Sequence, residues 1–151
     1  MKLFDIRTDD SHAGYVAAVN RGLESEPGNP YLSRFGPVCS PRWWACHDRG
    51  ELPVEVLSGL VSVVGQRPDW THEPEDVVEF VAGGQPVAYD RVDHWAKVPI
   101  RVGDQITVTR TVAELATQTG PVWYLIDLRA EWVAAEQRHA EPAVAPDRGG
   151  M

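Results

Sequence analysis

The residues best able to do chemistry fall into two short clusters. The first is Tyr89-Asp90-Arg91-Val92-Asp93-His94-Trp95, where two carboxylates, a guanidinium and an imidazole occupy five consecutive positions. An imidazole beside carboxylates is the composition of a general acid–base site. On a strand, Asp90, Val92 and His94 share one face, and Arg91, Asp93 and Trp95 the other. Asp90 and His94 would then stand about 13 Å apart, too far for a dyad unless a bulge shortens the path. The competing expectation is a solvated strand with a surface contact between His94 and a carboxylate.

The second cluster is Trp43-Trp44-Ala45-Cys46-His47-Asp48. Two tryptophans, a thiol and an imidazole could line a ligand cavity, since pockets are mostly apolar with few polar groups. Equally, the tryptophans could be core plugs and Cys46 a small buried hydrophobe. Cys39, Cys46 and His47 are three metal-ligand types, but six residues separate the cysteines and no fourth ligand lies nearby. His72 or His94 could complete the set only through the fold, so no metal is expected. A Cys39–Cys46 disulfide is not expected in a reducing compartment. His12 and His139 read as surface residues. No Gly-x-Ser-x-Gly elbow occurs, and Gly83-Gly84 stands without a phosphate-loop pattern, so neither serine catalysis nor a nucleotide cofactor is expected.

The elements that must position these residues belong to a chain of 151 residues, enough for one core. A net charge of −8 disfavours nucleic acid and an anionic membrane surface as partners. No apolar run approaches the roughly 18–20 residues needed to span a bilayer. The opening MKLFDIRTDD has no apolar signal core, and there are only two cysteines. A reduced, cytoplasmic protein is the expectation. Arginine outnumbers lysine twelve to two. That bias suggests a GC-rich bacterial coding sequence and says nothing about function.

Residues 11–24 read as a helix capped by Asp10 or Ser11, with Tyr15, Val16, Val19 and Leu23 at helical spacing. Residues 25–52, rich in Pro, Gly and Ser, read as an ordered loop or a set of short turns. Residues 53–66 are ambiguous. Val54, Val56, Val61 and Val63 suit a strand. Leu57, Leu60, Val61 and Val64 opposite Glu55, Ser58, Gly59, Ser62 and Gln66, with Pro53 in the first turn, suit a helix slightly better. Thr71 to Val81 carries a helix-start signature, a hydroxyl followed by Glu73, Pro74, Glu75 and Asp76. From Pro86 the chain reads as β, first to about Trp95. Two long alternating strands follow the Gly103-Asp104 step. Ile106, Val108 and Val112 mark the first. Val122, Tyr124, Ile126, Leu128, Ala130 and Trp132 mark the second, alternating with Trp123, Leu125, Asp127, Arg129 and Glu131. A single α+β domain over residues 1–136 and a disordered tail over 137–151 are expected.

Several segments in this order resemble the MaoC-like (R)-specific hydratases and dehydratases of the hotdog fold. Pro99-Ile100-Arg101-Val102-Gly103-Asp104 resembles their Pro-x-x-x-Gly-Asp step. Tyr15-Val16-Ala17-Ala18-Val19 resembles their first helix, and Asn29-Pro30-Tyr31 their Asn-Pro-Leu turn. Gly36-Pro37-Val38-Cys39-Ser40-Pro41 resembles the Gly-x-Val-Ala-Pro-Pro segment before their central helix. The resemblance implies an antiparallel sheet with N-terminal helices, a homo- or hetero-dimer, and an acyl-CoA or acyl-carrier-protein substrate. The activity it implies is reversible dehydration of a β-hydroxyacyl thioester.

The family's Asp and His, however, align with Pro27 and Leu32, which carry no proton. Either other residues have been recruited, with His94, Asp90 and His47 as the catalytic candidates, or the chain is a substrate-holding partner subunit. Trp43, Trp44, Asn29, Tyr31, Tyr89 and Arg91 are the candidate substrate contacts. The alternative is a non-enzymatic OB-like β-barrel that binds a protein or small molecule. Its five strands would be GLVSVVGQ, DVVEFVA, PVAYDRV, DQITVTRTV and VWYLIDLRAEW.

Overall fold

Valine-rich and threonine-rich segments from Val54 onward form long antiparallel strands, and the Pro- and Ser-rich stretch before them forms short helices. The computed structural model describes residues 1–68 and 74–137. In chain order the elements are β1 (Lys2–Asp5), α1 (Ala13–Glu24), α2 (Pro30–Phe35), α3 (Pro41–Asp48), β2 (Val54–Pro68), β3 (Pro74–Ala82) and β4 (Gln85–Asp90). A single tight helical turn (Asp93–Trp95), β5 (Gln105–Thr117) and β6 (Gly120–Val133) complete them. The fold is mixed, with a six-stranded antiparallel sheet in the order β1-β6-β5-β2-β3-β4.

Two helix expectations are corrected. Residues 54–66 are strand, within β2. Gly59 and Gly65 weaken a helix there, and the five valines of the segment favour a pleated surface. The β signal was masked because the register between β2 and β3 shifts between Val61 and Val63, which breaks the period of two. A Cβ on Gly59 would stand 1.6 Å from the carbonyl oxygen of Val81, so the strands approach where only glycine fits. Residues 74–81 are also strand, because burial of Val77, Val78, Phe80 and Ala82 outweighs the acidic helix-start signature. Thr71, His72 and Glu73, like the tail from residue 138 with His139, lie outside the described residues.

The expected loop at 25–52 contains two short helices. Asn29 and Ser40 are their N-caps. Each is followed by proline, and their side chains accept from the backbone N–H of Tyr31 (3.0 Å) and Trp43 (3.2 Å). Helix α1 forms as expected, although its N-cap is His12 and neither Asp10 nor Ser11 caps it.

Contacts group the chain into two units. The first comprises Met1–Phe4, Leu57–Val108 and the chain from Ala130. Its interior is built from Phe4, Val61, Val77, Val78, Phe80, Trp95, Ile106 and Val108. The Gly103-Asp104 step is seated there by two backbone hydrogen bonds with Val61, of 2.8 and 2.9 Å. Gly103 has a φ of 94°, which a side chain would strain. The second unit comprises Asp5–Val56 and Thr109–Arg129. Val19, Leu23, Tyr31, Phe35, Val38, Trp43 and Cys46 from the helical segment pack there with Ala113, Leu115, Ile126 and Leu128.

Strand β5 buries Ile106 and Val108 in the first unit. In the second it buries Thr111, Ala113 and Leu115. The buried parity therefore changes across Thr109 and Arg110, and Val112 is not on the buried side as its alternation with Ile106 suggests. On β6 the expected face holds at Ile126, Leu128 and Ala130.

Candidate functional site

The second unit contains a cleft of about 970 Å³. Pro30, Tyr31, Arg34 and Phe35 of α2 form one wall, and Gly50, Glu51, Leu52 and Pro53 the next. Val112, Glu114 and Ala116 of β5 and Trp123 and Leu125 of β6 complete it, with Asn29 at the start of α2. The strand residues are those of opposite parity to the buried Ala113, Leu115 and Ile126. A solvated sheet face is normally polar. Here Trp123 is 57% and Leu125 48% exposed, and Val112 and Ala116 sit on the neighbouring strand. An exposed apolar surface within a cleft marks a place where something binds.

Charge enters the cleft at three residues. Glu51 is paired with Arg49, whose Nε donates at 2.8 Å, and this guanidinium holds the Glu51 carboxyl below its usual range. The Arg34 guanidinium lies 4.8 Å from the centroid of the Phe35 ring. Arg42 donates to the carbonyls of Ser33 (2.6 Å) and Arg34 (3.1 Å), fixing the last turn of α2. Glu114 is exposed.

The structure brings two of the sequence-derived contact residues to this cleft. Tyr31 lines it with most of its ring buried. Its hydroxyl accepts from Trp43 Nε1 at 3.0 Å, and burial pushes the phenol up. Asn29 touches it, but its amide is engaged structurally. Oδ1 accepts from Tyr31 N, and Nδ2 donates to Leu23 O at 3.2 Å. Trp43 is fully buried in the core beneath, and Trp44 packs on the edge of that core.

His47 closes α3 in the same unit, away from the cleft lining. Its Nδ1 lies 3.1 Å from Asp48 Oδ1, and Arg7 contacts both Asp48 oxygens at 2.7 and 2.9 Å. Hydrogen bonds from Arg7, then from His47, keep the Asp48 carboxyl low. Arg7 also stacks on Trp44 at 4.1 Å. The imidazole is thus held between a carboxylate and the rings of Trp43 and Trp44.

His94, Asp90, Tyr89 and Arg91 belong to the first unit. The expected strand stops at Asp90, and Asp93 takes a φ of 51°, so the alternation of faces to Trp95 is corrected. His94 is buried, stacked on Phe4 at 4.8 Å and tilted against Trp95 at 4.9 Å, whereas Asp90 is exposed. Tyr89 stacks on Trp95 at 4.6 Å. The Arg91 guanidinium donates to the carbonyls of Trp95 and Val98, holding the turn. This is the chemistry of a packed aromatic corner.

A smaller cleft of about 440 Å³ in the second unit lies along the start of α1 and reaches Cys39. Burial pushes the Cys39 thiol up, which makes it a poor nucleophile. Among the described residues no three His, Cys, Asp or Glu side chains are grouped to hold a metal, and no helix is long and apolar enough to cross a membrane.

Sequence reasoning missed Arg34, Phe35, Trp123 and Leu125 as site residues. The available signal was Trp123 and Leu125 on the strand face opposite Tyr124 and Ile126, apolar where a solvated face is polar. No family model matches this chain, and no curated protein matches its sequence.

Proposed function

We propose that this protein holds an acyl chain, carried as a thioester on coenzyme A or a carrier protein, without itself making or breaking bonds. The observation that carries this reading is the apolar outer side of β5 and β6, where Trp123 and Leu125 lie exposed along a cleft of about 970 Å³. Pockets of several hundred Å³ with mostly apolar walls suit ligands of this size. The helices between β1 and the remaining strands, and the antiparallel sheet, are compatible with a hotdog-like arrangement.

Binding is favoured over catalysis because the positions aligned with the hydratase acid and base cannot act. Pro27 is an exposed imino acid and Leu32 packs against the core. The cleft lining holds no histidine. On this reading the bond chemistry belongs to a partner subunit.

A second reading, a non-enzymatic OB-like module, is favoured by one observation. All five segments required of that barrel form strands, β2 to β6 in order. It also makes the protein a binder, of a protein or a small molecule.

Calorimetric titration with decanoyl-CoA tests the proposal. Saturable binding with one site per chain is expected. Absence of binding at the highest soluble ligand concentration overturns it and leaves the barrel reading.

A further inference from the structure

We infer that the ligand of the second unit's cleft carries an anionic group, and that Arg34 is the residue that selects it. The inference rests on the acyl-binding proposal and adds the chemistry of the ligand's polar end.

Three observations support it. Arg34 and Phe35 both line the cleft, and the guanidinium lies 4.8 Å from the Phe35 ring centroid. A guanidinium resting on an aromatic face keeps its edge N–H donors available and loses little freedom when it grips an oxyanion. Second, the helix turn that carries it is tied down. Arg42 donates to the carbonyls of both Ser33 and Arg34, so the cation is presented from a fixed backbone. Third, the Glu51 carboxylate of the lining is hydrogen-bonded by the Arg49 guanidinium at 2.8 Å, and Arg34 acts on it only as a through-space charge. Arg34 makes no ion pair within 4 Å among the described residues, and the cleft lining holds no other cation. Glu114, the remaining charged side chain of the lining, adds negative potential, so a purely electrostatic surface would not favour an anion. Selection must come from direct, forked hydrogen bonding by Arg34.

The anionic group could be the carboxylate of a free fatty acid or the phosphate of a phosphopantetheine arm. Both present two coplanar acceptor oxygens to the guanidinium fork.

The test compares four ligands that share one chain: decanoate, decanoyl-phosphopantetheine, decanoyl-pantetheine and decanol. Binding is measured by calorimetry on the wild type, Arg34→Gln and Arg34→Lys. The expected result is that at least one anionic ligand binds the wild type about five- to tenfold tighter than its neutral counterpart. That ratio should collapse towards one in R34Q and be only partly kept in R34K, with decanol affinity unchanged in all three proteins. Loss confined to decanoate identifies a free acid and overturns the thioester form of the ligand, and loss confined to the phosphate ligand identifies a carrier arm. If neutral and anionic ligands bind the wild type equally, or if the ratio survives R34Q, acyl binding stands and the role of Arg34 is overturned. If none of the four binds, both the role and the acyl reading fall. Arg34 is exposed and touches the core only through the Phe35 ring, so the variants are expected to fold, which circular dichroism checks.

Discussion

The indole Nε1 of Trp132 donates to Oδ2 of Asp104 at 2.9 Å, across 28 residues of sequence. Asp104 is buried, and it also accepts from the backbone N–H groups of Arg101 and Ala135, both at 2.8 Å. One carboxylate therefore ties the turn before β5 to the end of β6 within the first unit. Burial alone would raise its pKa. The hydrogen bonds from Trp132, Arg101 and Ala135 outweigh that effect and hold it below the ordinary aspartate value.

The pH consequence has a definite sign. A carboxyl whose folded pKa is depressed contributes stability that is present above its unfolded value of about 4, and that contribution is lost as pH falls through the folded value. Asp104→Asn should cost about 1–3 kcal/mol at neutral pH, because a neutral amide replaces a charged acceptor and places an N–H group among donors. Chemical denaturation at pH 7 and again at pH 3 checks this. The difference between wild type and D104N should shrink at the lower pH. An equal difference at both values would show that the charge of Asp104 is not what matters.

Two glycines make opposite predictions. Gly59→Ala forces a Cβ onto the Val81 carbonyl and should destabilise by about 1–3 kcal/mol or more, since strand backbone cannot simply move aside. Gly14, in the first turn of α1, has open space around it, so Gly14→Ala should stabilise by up to about 1 kcal/mol. Thermal melts of the two variants settle both signs.

Asn29 lies at the cleft and is also the N-cap of α2, with both ends of its amide engaged by backbone. Asn29→Ala should therefore cost about 1–2 kcal/mol of stability. Once the protein is folded, acyl affinity should change little. A large affinity loss with an unchanged melting temperature would instead make Asn29 a ligand contact.

How much of this was legible in the sequence depended on period and on side. Alternation over β6 gave the strand and its buried face correctly at Ile126, Leu128 and Ala130, because no irregularity interrupts it there. Strand β2 was obscured by its register shift and by Gly59, whose reason lies in the neighbouring strand and leaves no local trace. The two Asn/Ser-Pro steps suit turns as well as helix starts, and each helix is too short to show a period. For the site, types that can do chemistry drew attention to His47 and His94. Those groups turn out to be a partly buried imidazole between a carboxylate and two indoles, and a ring in an aromatic corner. The cleft is built mostly from residues with no chemistry of their own, and only its placement in the fold distinguishes it.

Catalysis is open to direct test. Purified protein at high concentration is expected not to hydrate a short trans-enoyl-CoA, because neither Pro27 nor Leu32 can transfer a proton and no histidine lines the cleft. Turnover that is abolished by His47→Ala or His94→Ala would restore an acid–base role to those residues and would contradict the non-catalytic reading.

The most direct test of the central claim is the affinity of decanoyl-CoA for Leu125→Asp and Trp123→Ser, set beside the wild type. Both side chains are about half exposed, so the variants should stay folded while the outer side of β6 becomes polar. The expected result is saturable wild-type binding that weakens about tenfold or more in each variant, with the melting temperature nearly unchanged. Wild-type binding that is absent, or that both variants leave intact, would contradict the claim that this cleft holds an acyl chain.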